Sequence, residues 1–66
     1  MNYKMRSWKD TKLVREEVGT FPTVWKALDH FTGKNEWRLD QIGPLMEGEI
    51  TATTDDGVYI QIELVR

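Results

Sequence analysis

Cysteine is absent from the 66 residues, and histidine occurs once, at His30. The absence of cysteine excludes disulfides, thiolate zinc sites and cysteine nucleophiles, and it is typical of proteins from a reducing compartment. No apolar run approaches the roughly 18 residues that a membrane-spanning helix needs, and no basic-then-apolar leader opens the sequence. We therefore expect a cytoplasmic protein that does not enter a membrane.

Motifs that carry chemistry are equally scarce. His30 has no potential ligands near it at a spacing typical of metal sites. Residues 55–57 lack the alternating ligands and the distal glutamate of a calcium loop, and residues 33–34 lack the rest of a phosphate-binding loop. No nucleophile is paired with a base, and no two acids are set apart as a pair. We expect no enzymatic activity, no cofactor and no metal.

Length and composition predict a single small domain over residues 1–66. Hydrophobic residues make up 39% of the chain, which is enough for a core in a protein near the lower size limit for independent folding. The predicted class is α+β, with one or two short helices packed on a small antiparallel sheet that includes a C-terminal β-hairpin.

Residues 23–32 have the pattern of a helix. Pro22 is tolerated just before or within a first turn, and Gly33 suits a left-handed C-terminal cap. The apolar residues recur at the spacing of one half-buried face: Val24, Trp25, Leu28 and Phe31. We expect this face, Trp25 included, to contribute to the core.

Residues 49–65 predict the hairpin, because apolar and polar residues alternate on both sides of a short acidic loop. A three-residue loop over residues 55–57 pairs Ile50 with Ile62 and sorts the apolar side chains onto one face. A two-residue loop would mix the faces, so burial favours the first register. That register also gives Gly57 the positive φ of a bulged loop.

The N-terminal part is compatible with two structures. Ser7 and Asp10 have the spacing of a capping box, and Gly19 is a suitable stop, so residues 8–18 fit a short helix. The same stretch also fits a strand, and both alternatives stay open at this point.

A two-stranded hairpin alone is marginally stable, so a further strand is expected beside it. One candidate is residues 36–40, where Trp37 and Leu39 alternate with polar residues. The other is the segment from Met1 to Ser7.

The first 15 residues form a basic segment. They hold five of the nine Lys and Arg residues against one acid, whereas the rest of the chain holds four cations and ten acids. A basic segment on an acidic body either keeps a small domain soluble or contacts an acidic partner. Its cations are Lys4, Arg6, Lys9, Lys12 and Arg15.

Two aromatic residues are candidates for such a contact. Trp8 lies between basic residues of the N-terminal segment, and exposed tryptophans are frequent anchors of interfaces. The alternative is that Trp8 folds into the core, where large aromatics are commonly buried. Tyr59 falls on the polar face of the predicted hairpin, beside Gln61 and Thr51, and should be accessible.

Residues 11–31 resemble the helix-turn-helix pattern of bacterial and phage regulators, with Gly19 in the middle and the run from Thr23 to Leu28 after it. The resemblance implies a DNA-binding regulator, and the C-terminal hairpin would then be the wing of a winged-helix domain. The residues it places on the recognition helix are Thr23, Lys26 and His30.

These observations favour a non-catalytic binding protein, a regulator or inhibitor that docks on a larger protein with an acidic surface. Chains of this size are common among accessory proteins of phages and mobile elements. A homodimer is left open, and DNA binding is the second choice because a pI near 5.2 opposes phosphate neutralisation. The expected partner-binding residues are Arg6, Trp8, Lys9, Lys12, Arg15 and Tyr59.

Overall fold

A computed structural model describes residues 1–44, 46 and 48–66 of the chain. Two strands open the chain, β1 (Asn2–Lys9) and β2 (Lys12–Thr20), and a helix, α1 (Val24–Thr32), follows them. After a single 3-10 turn at Leu39–Gln41 come strands β3 (Glu49–Thr53) and β4 (Tyr59–Leu64). The four strands form one antiparallel sheet in the order β2-β1-β4-β3, which confirms the predicted α+β class.

The core lies between α1 and one face of the sheet. Alternate residues of β1 and β4 are buried, because successive side chains of a strand point to opposite faces. Ala27, Leu28 and Phe31 close the core from the helix side. The sheet residues of the core are Tyr3, Met5, Ile50, Ala52, Ile60 and Ile62.

The helix begins and ends where its local signals place it. The Thr23 hydroxyl accepts a hydrogen bond from the backbone N–H of Lys26 at 3.2 Å, as an N-terminal cap does. Gly33 adopts φ 70°, and its N–H donates to the carbonyl of Asp29 at 2.8 Å. One part of the face prediction is wrong: Trp25 is 43% exposed, because it lies at the side of the helix rather than over the sheet.

The hairpin has the predicted register. Ile50 lies opposite Ile62 and Ala52 opposite Ile60, and Gly57 has φ 84°. The Thr54 N–H donates to the carbonyl of Val58 at 2.9 Å and closes the three-residue loop.

The structure decides between the alternatives for the N-terminal part. Residues 8–18 form no helix; β1 and β2 run through them and turn at Asp10 and Thr11, which have φ 51° and 67°. Ser7 is buried in β1 and caps nothing. The strand from the N-terminus is therefore the one that completes the sheet.

The other predicted strand, residues 36–40, is wrong. Trp37 is half-buried against the core, but Leu39 is 93% exposed and begins the 3-10 turn. Arg38 holds this turn by ion pairs to Asp40 at 3.1 Å and Asp55 at 3.0 Å. The apparent alternation thus does not reflect two faces of a sheet.

The helix-turn-helix interpretation is also wrong as a fold. Its first helix would occupy residues that form β2. α1 is the one α-helix among the residues that the structure describes, so no helix pair is present there to place a recognition helix in a DNA groove.

Candidate protein-docking surface

The face of the sheet opposite α1 carries no covering element among the described residues. We call it the open face. Cross-strand pairing places its side chains in rows that cross the sheet. Its members on the four strands are Asn2, Lys4, Arg6, Trp8, Leu13, Glu16, Val18, Thr20, Glu49, Thr51, Thr53, Tyr59, Gln61 and Glu63.

One row of the open face is apolar. Leu13 lies opposite Trp8, and Trp8 lies opposite Tyr59. The rings of Trp8 and Tyr59 tilt against each other with centroids 5.8 Å apart, a favourable geometry for an aromatic pair. We call Leu13, Trp8 and Tyr59 the aromatic row.

The aromatic row is separate from the core. Trp8 is partly buried, and it belongs neither to the core cluster nor to the residues packed against it. Tyr59 is 45% exposed, as predicted, and Leu13 is exposed as well. The row therefore presents apolar surface to the solvent at one end of the sheet.

A β-bulge in β2 brings Leu13 into this row. Ser7 lies opposite Arg15, but Trp8 lies opposite Leu13, so that Val14 is the extra residue. Without the bulge Val14 would occupy the place beside Trp8. Bulges bend a strand and redirect its side chains, often at functional sites.

The next row of the open face contains Arg6, which pairs with Glu16 in the same row and lies near Glu63 in the row beyond. Arg6 Nε donates to Glu16 Oε2 at 2.6 Å, and an Arg6 Nη1 atom lies 3.8 Å from Glu63 Oε1. The hydrogen bond from Arg6 holds the pKa of Glu16 below its ordinary value. The Arg6 charge is thus balanced within the chain.

Two lysines lie next to the β1–β2 turn, at the end of the sheet that carries the aromatic row. Lys9 and Lys12 lie opposite each other beside the β1–β2 turn. Lys9 Nζ donates to the backbone carbonyl of Asp56 at 2.9 Å, while Lys12 is exposed. Both residues therefore lie at the same end of the sheet as Trp8 and Tyr59, but the alternation of β1 places Lys9, and Lys12 opposite it, on the helix side of the sheet with Ser7.

Arg15 does not join the other expected docking residues. It lies on the helix side of β2, where Nη1 donates to the carbonyl of Phe31 at 2.7 Å and the guanidinium covers the Phe31 ring at 4.4 Å. Nη2 also pairs with Glu17 at 2.5 Å. Arg15 thus ties β2 to the helix.

The residues expected to contact DNA have local partners as well. Thr23 caps α1, and His30 Nε2 lies 3.1 Å from Glu17 Oε1. Hydrogen bonds from His30 and then Arg15 hold the pKa of Glu17 below its ordinary value. Lys26 is exposed on the helix surface. These three residues form no basic patch.

A cavity of about 260 Å³ lies between the C-terminal end of α1 and the β3–β4 loop. The buried Ser7 lines its floor, and Arg15 and Asp56 stand at its rim. Both charged groups are already hydrogen-bonded, Arg15 to Phe31 and Asp56 to Thr54. We therefore place the candidate site on the open face.

Two features are absent from the part of the chain that the structure describes. Residues 1–44, 46 and 48–66 contain no group of three His, Cys, Asp or Glu side chains that could hold a metal ion. They also contain no helix that is long and apolar enough to cross a membrane. Comparison with protein-family models, with curated proteins and with solved structures finds no match for this chain.

Proposed function

We propose that this chain is a non-catalytic binding protein that docks on a larger protein through the open face of its sheet. The aromatic row is the anchor of the contact, and the lysines at the same end of the sheet attract acidic groups of the partner. By covering a surface of its partner, such a domain acts as a regulator or an inhibitor.

The observation that carries the proposal is the position of the aromatic row. A tryptophan, a tyrosine and a leucine from three adjacent strands lie side by side on a face that no described residue covers. Exposed apolar surface of this kind is unfavourable in water unless a partner covers it. Tryptophan and tyrosine are also the residue types most enriched among the anchors of protein interfaces.

The acidic character of the partner rests on Lys9 and Lys12. Arg6 is balanced by Glu16, and Arg15 lies on the other side of the sheet. Lys4 lies on the open face but two rows away from Trp8. Lys9 and Lys12, at the end of the sheet where the row lies, thus remain as the nearest positive charges that steer an acidic surface toward it.

The first experiment compares two tryptophans. The partner is captured from the source cell on the immobilised chain, identified by mass spectrometry and titrated. We expect Trp8→Ala to weaken binding by about 2 kcal/mol or more, roughly thirtyfold in Kd, with little change in melting temperature. Trp25→Ala is the matched control, because Trp25 is exposed on the helix and lies away from the open face; it should bind as the unchanged chain does.

Equal binding by the two variants would contradict the proposal. A sharp fall in the melting temperature of Trp8→Ala would instead show that the indole stabilises the domain itself. Charge reversal at Lys9 and Lys12 should slow association at low salt and leave dissociation nearly unchanged. If dissociation changes and association does not, the lysines do not steer the partner.

A further inference from the structure

The outer edge of β2 is a second feature that binding could use. The opposite edge of the sheet, β3, is partly covered: Ile42 pairs with Ala52, and the N–H of Gly43 donates to the carbonyl of Thr51 at 2.9 Å. β2 has nine residues, and nothing in the described part of the chain pairs with its outer edge. Such an edge is a template for another strand.

The backbone groups available at this edge follow from the pairing with β1. Met1 and Phe21 exchange two hydrogen bonds, of 2.9 and 3.2 Å. Bonded and non-bonded pairs alternate in an antiparallel ladder. Gly19 and Glu17 therefore face β1, whereas the N–H and C=O groups of Glu16, Val18 and Thr20 point outward.

The side chains of β2 are complementary to those of a second copy of β2. In an antiparallel pairing about a two-fold axis at Glu16, Val14 lies opposite Val18, and Arg15 lies opposite Glu17. Each contact occurs twice because the axis repeats it. Both valines are 63% exposed in the single chain, so this register covers apolar surface and sets the Arg15–Glu17 ion pair of one copy beside that of the other.

Neighbouring registers lose this complementarity. A shift by two residues in one direction places Arg15 opposite Arg15, and in the other direction it places Glu17 opposite Glu17. The favoured register brings two Glu16 side chains together, but each one accepts a hydrogen bond from its own Arg6 at 2.6 Å. That pairing reduces their repulsion.

We propose that two copies of the chain pair along β2, with residues 14–18 antiparallel about an axis at Glu16. The two sheets become one sheet of eight strands, with both helices on one side. Both aromatic rows then lie on the other side, so that the dimer offers two docking sites to a partner. The dimer does not depend on the docking function, since it uses the outer edge of β2 and not the aromatic row.

The first test is sedimentation across a concentration series from about 10 μM to about 1 mM, over which a weak dimer dissociates. We expect a monomer–dimer equilibrium whose Kd rises at least tenfold in Arg15→Glu and in Glu17→Arg. Lys26→Glu and Glu36→Arg are the matched controls, because they reverse the same charges at exposed positions away from the edge. Circular dichroism checks that each variant is folded.

The register is tested by mixing the two variants. Arg15→Glu gives one copy two acids at positions 15 and 17, and Glu17→Arg gives the other copy two bases. In the proposed register every acid then meets a base, so an equimolar mixture should regain the dimer that each variant alone has lost. A dimer that ignores these reversals, or a mixture that stays monomeric, overturns the register.

A measurement on the unchanged chain decides the matter if the variants fail to fold. The outward amides of Glu16 and Val18 should exchange with deuterium more slowly as the protein concentration rises. The exposed loop residue Glu36 should show no such dependence. Bulges and charged residues also protect the edges of monomeric proteins, so a chain that stays monomeric at every concentration, with exchange independent of concentration, overturns the proposal.

Discussion

At the scale of single residues, Gly57 decides how the β3–β4 hairpin turns. Its φ of 84° lies in the left-handed region, and a Cβ added there would meet no atom within 4 Å. The cost of a substitution is therefore conformational and not steric. We expect Gly57→Val to lower the free energy of unfolding by about 1–3 kcal/mol, since a β-branched residue is strained at this φ.

Urea denaturation measures this effect, with Gly57→Asn as the control. Asparagine tolerates the left-handed region better than other residues with a side chain, so its loss should be clearly smaller. Two equal losses, or none, would show that the loop does not depend on the conformation of this residue.

Residues also explain why the first hairpin was harder to predict than the second. The β1–β2 turn places Asp10 and Thr11 at positive φ without glycine. Threonine is rare in that conformation, and two-residue turns with positive φ at both positions usually contain Asn-Gly or Asp-Gly. The sequence therefore lacks the usual signal of a two-residue turn, and the spacing of Ser7 and Asp10 instead suggests a capping box.

At the scale of elements, α1 is held to the sheet by one apolar face. Leu28 is fully buried, whereas Lys26 is exposed on the other side of the helix. Leu28→Ala leaves a cavity between α1 and the sheet, so we expect it to cost about 2–5 kcal/mol, while Lys26→Ala should cost less than about 0.5 kcal/mol. In a domain this small the first loss is enough to unfold much of the population.

Thermal and urea unfolding of the two variants check the helix face. Because the unfolded fraction of Leu28→Ala could be large, the measurement should extend to low temperature or include a stabilising salt such as sulfate. Equal stability of the two variants would contradict the packing of α1.

Elements with strong local signals were predictable, and an edge strand was not. The helix has a cap, a stop and a periodic face, and the C-terminal hairpin alternates on both strands. β2 lies at the edge, where few of its side chains are buried, so its sequence has no need to alternate. The bulge at Val14 further breaks the period within it.

The candidate site is predictable only in part, because residue type identifies aromatic anchors whereas the local sequence does not reveal the register of an edge strand. Trp8 and Tyr59 were singled out by residue type, and the register brings them together. Leu13 was missed, because its place beside Trp8 depends on the bulge. Arg15 was grouped with the other cations by sequence proximity, although the alternation of the strand places it on the helix side.

At the scale of the whole molecule, the charge segregation of the sequence disappears on folding. The antiparallel pairing of β1 with β2 brings Arg6 beside Glu16, and Arg15 pairs with Glu17, two residues farther along β2. A single polarised surface does not result. Ion pairs of this exposed kind each stabilise a protein little, but they make its stability depend on pH.

The direction of that dependence follows from the pKa values. The pKa values of Glu16 and Glu17 are lower in the folded chain than their ordinary values, owing to hydrogen bonds from Arg6 in the first case and from His30 and Arg15 in the second. A depressed pKa means that the folded state holds the carboxylate form more strongly than the unfolded state does. Its contribution to stability is thus present above the ordinary glutamate pKa and is lost as the pH falls through the folded value.

Urea titrations from neutral to acidic pH should therefore show the free energy of unfolding falling in this window. The fall should be smaller in the double variant Glu16→Gln, Glu17→Gln, in which neither group titrates. Glu36→Gln is the control, because Glu36 is an exposed glutamate with no ion pair in the described part of the chain, and it should keep the pH dependence of the unchanged chain. A double variant that loses stability on acidification as steeply as the control would show that the ion pairs of Glu16 and Glu17 do not couple folding to pH, and that other carboxylates carry the effect.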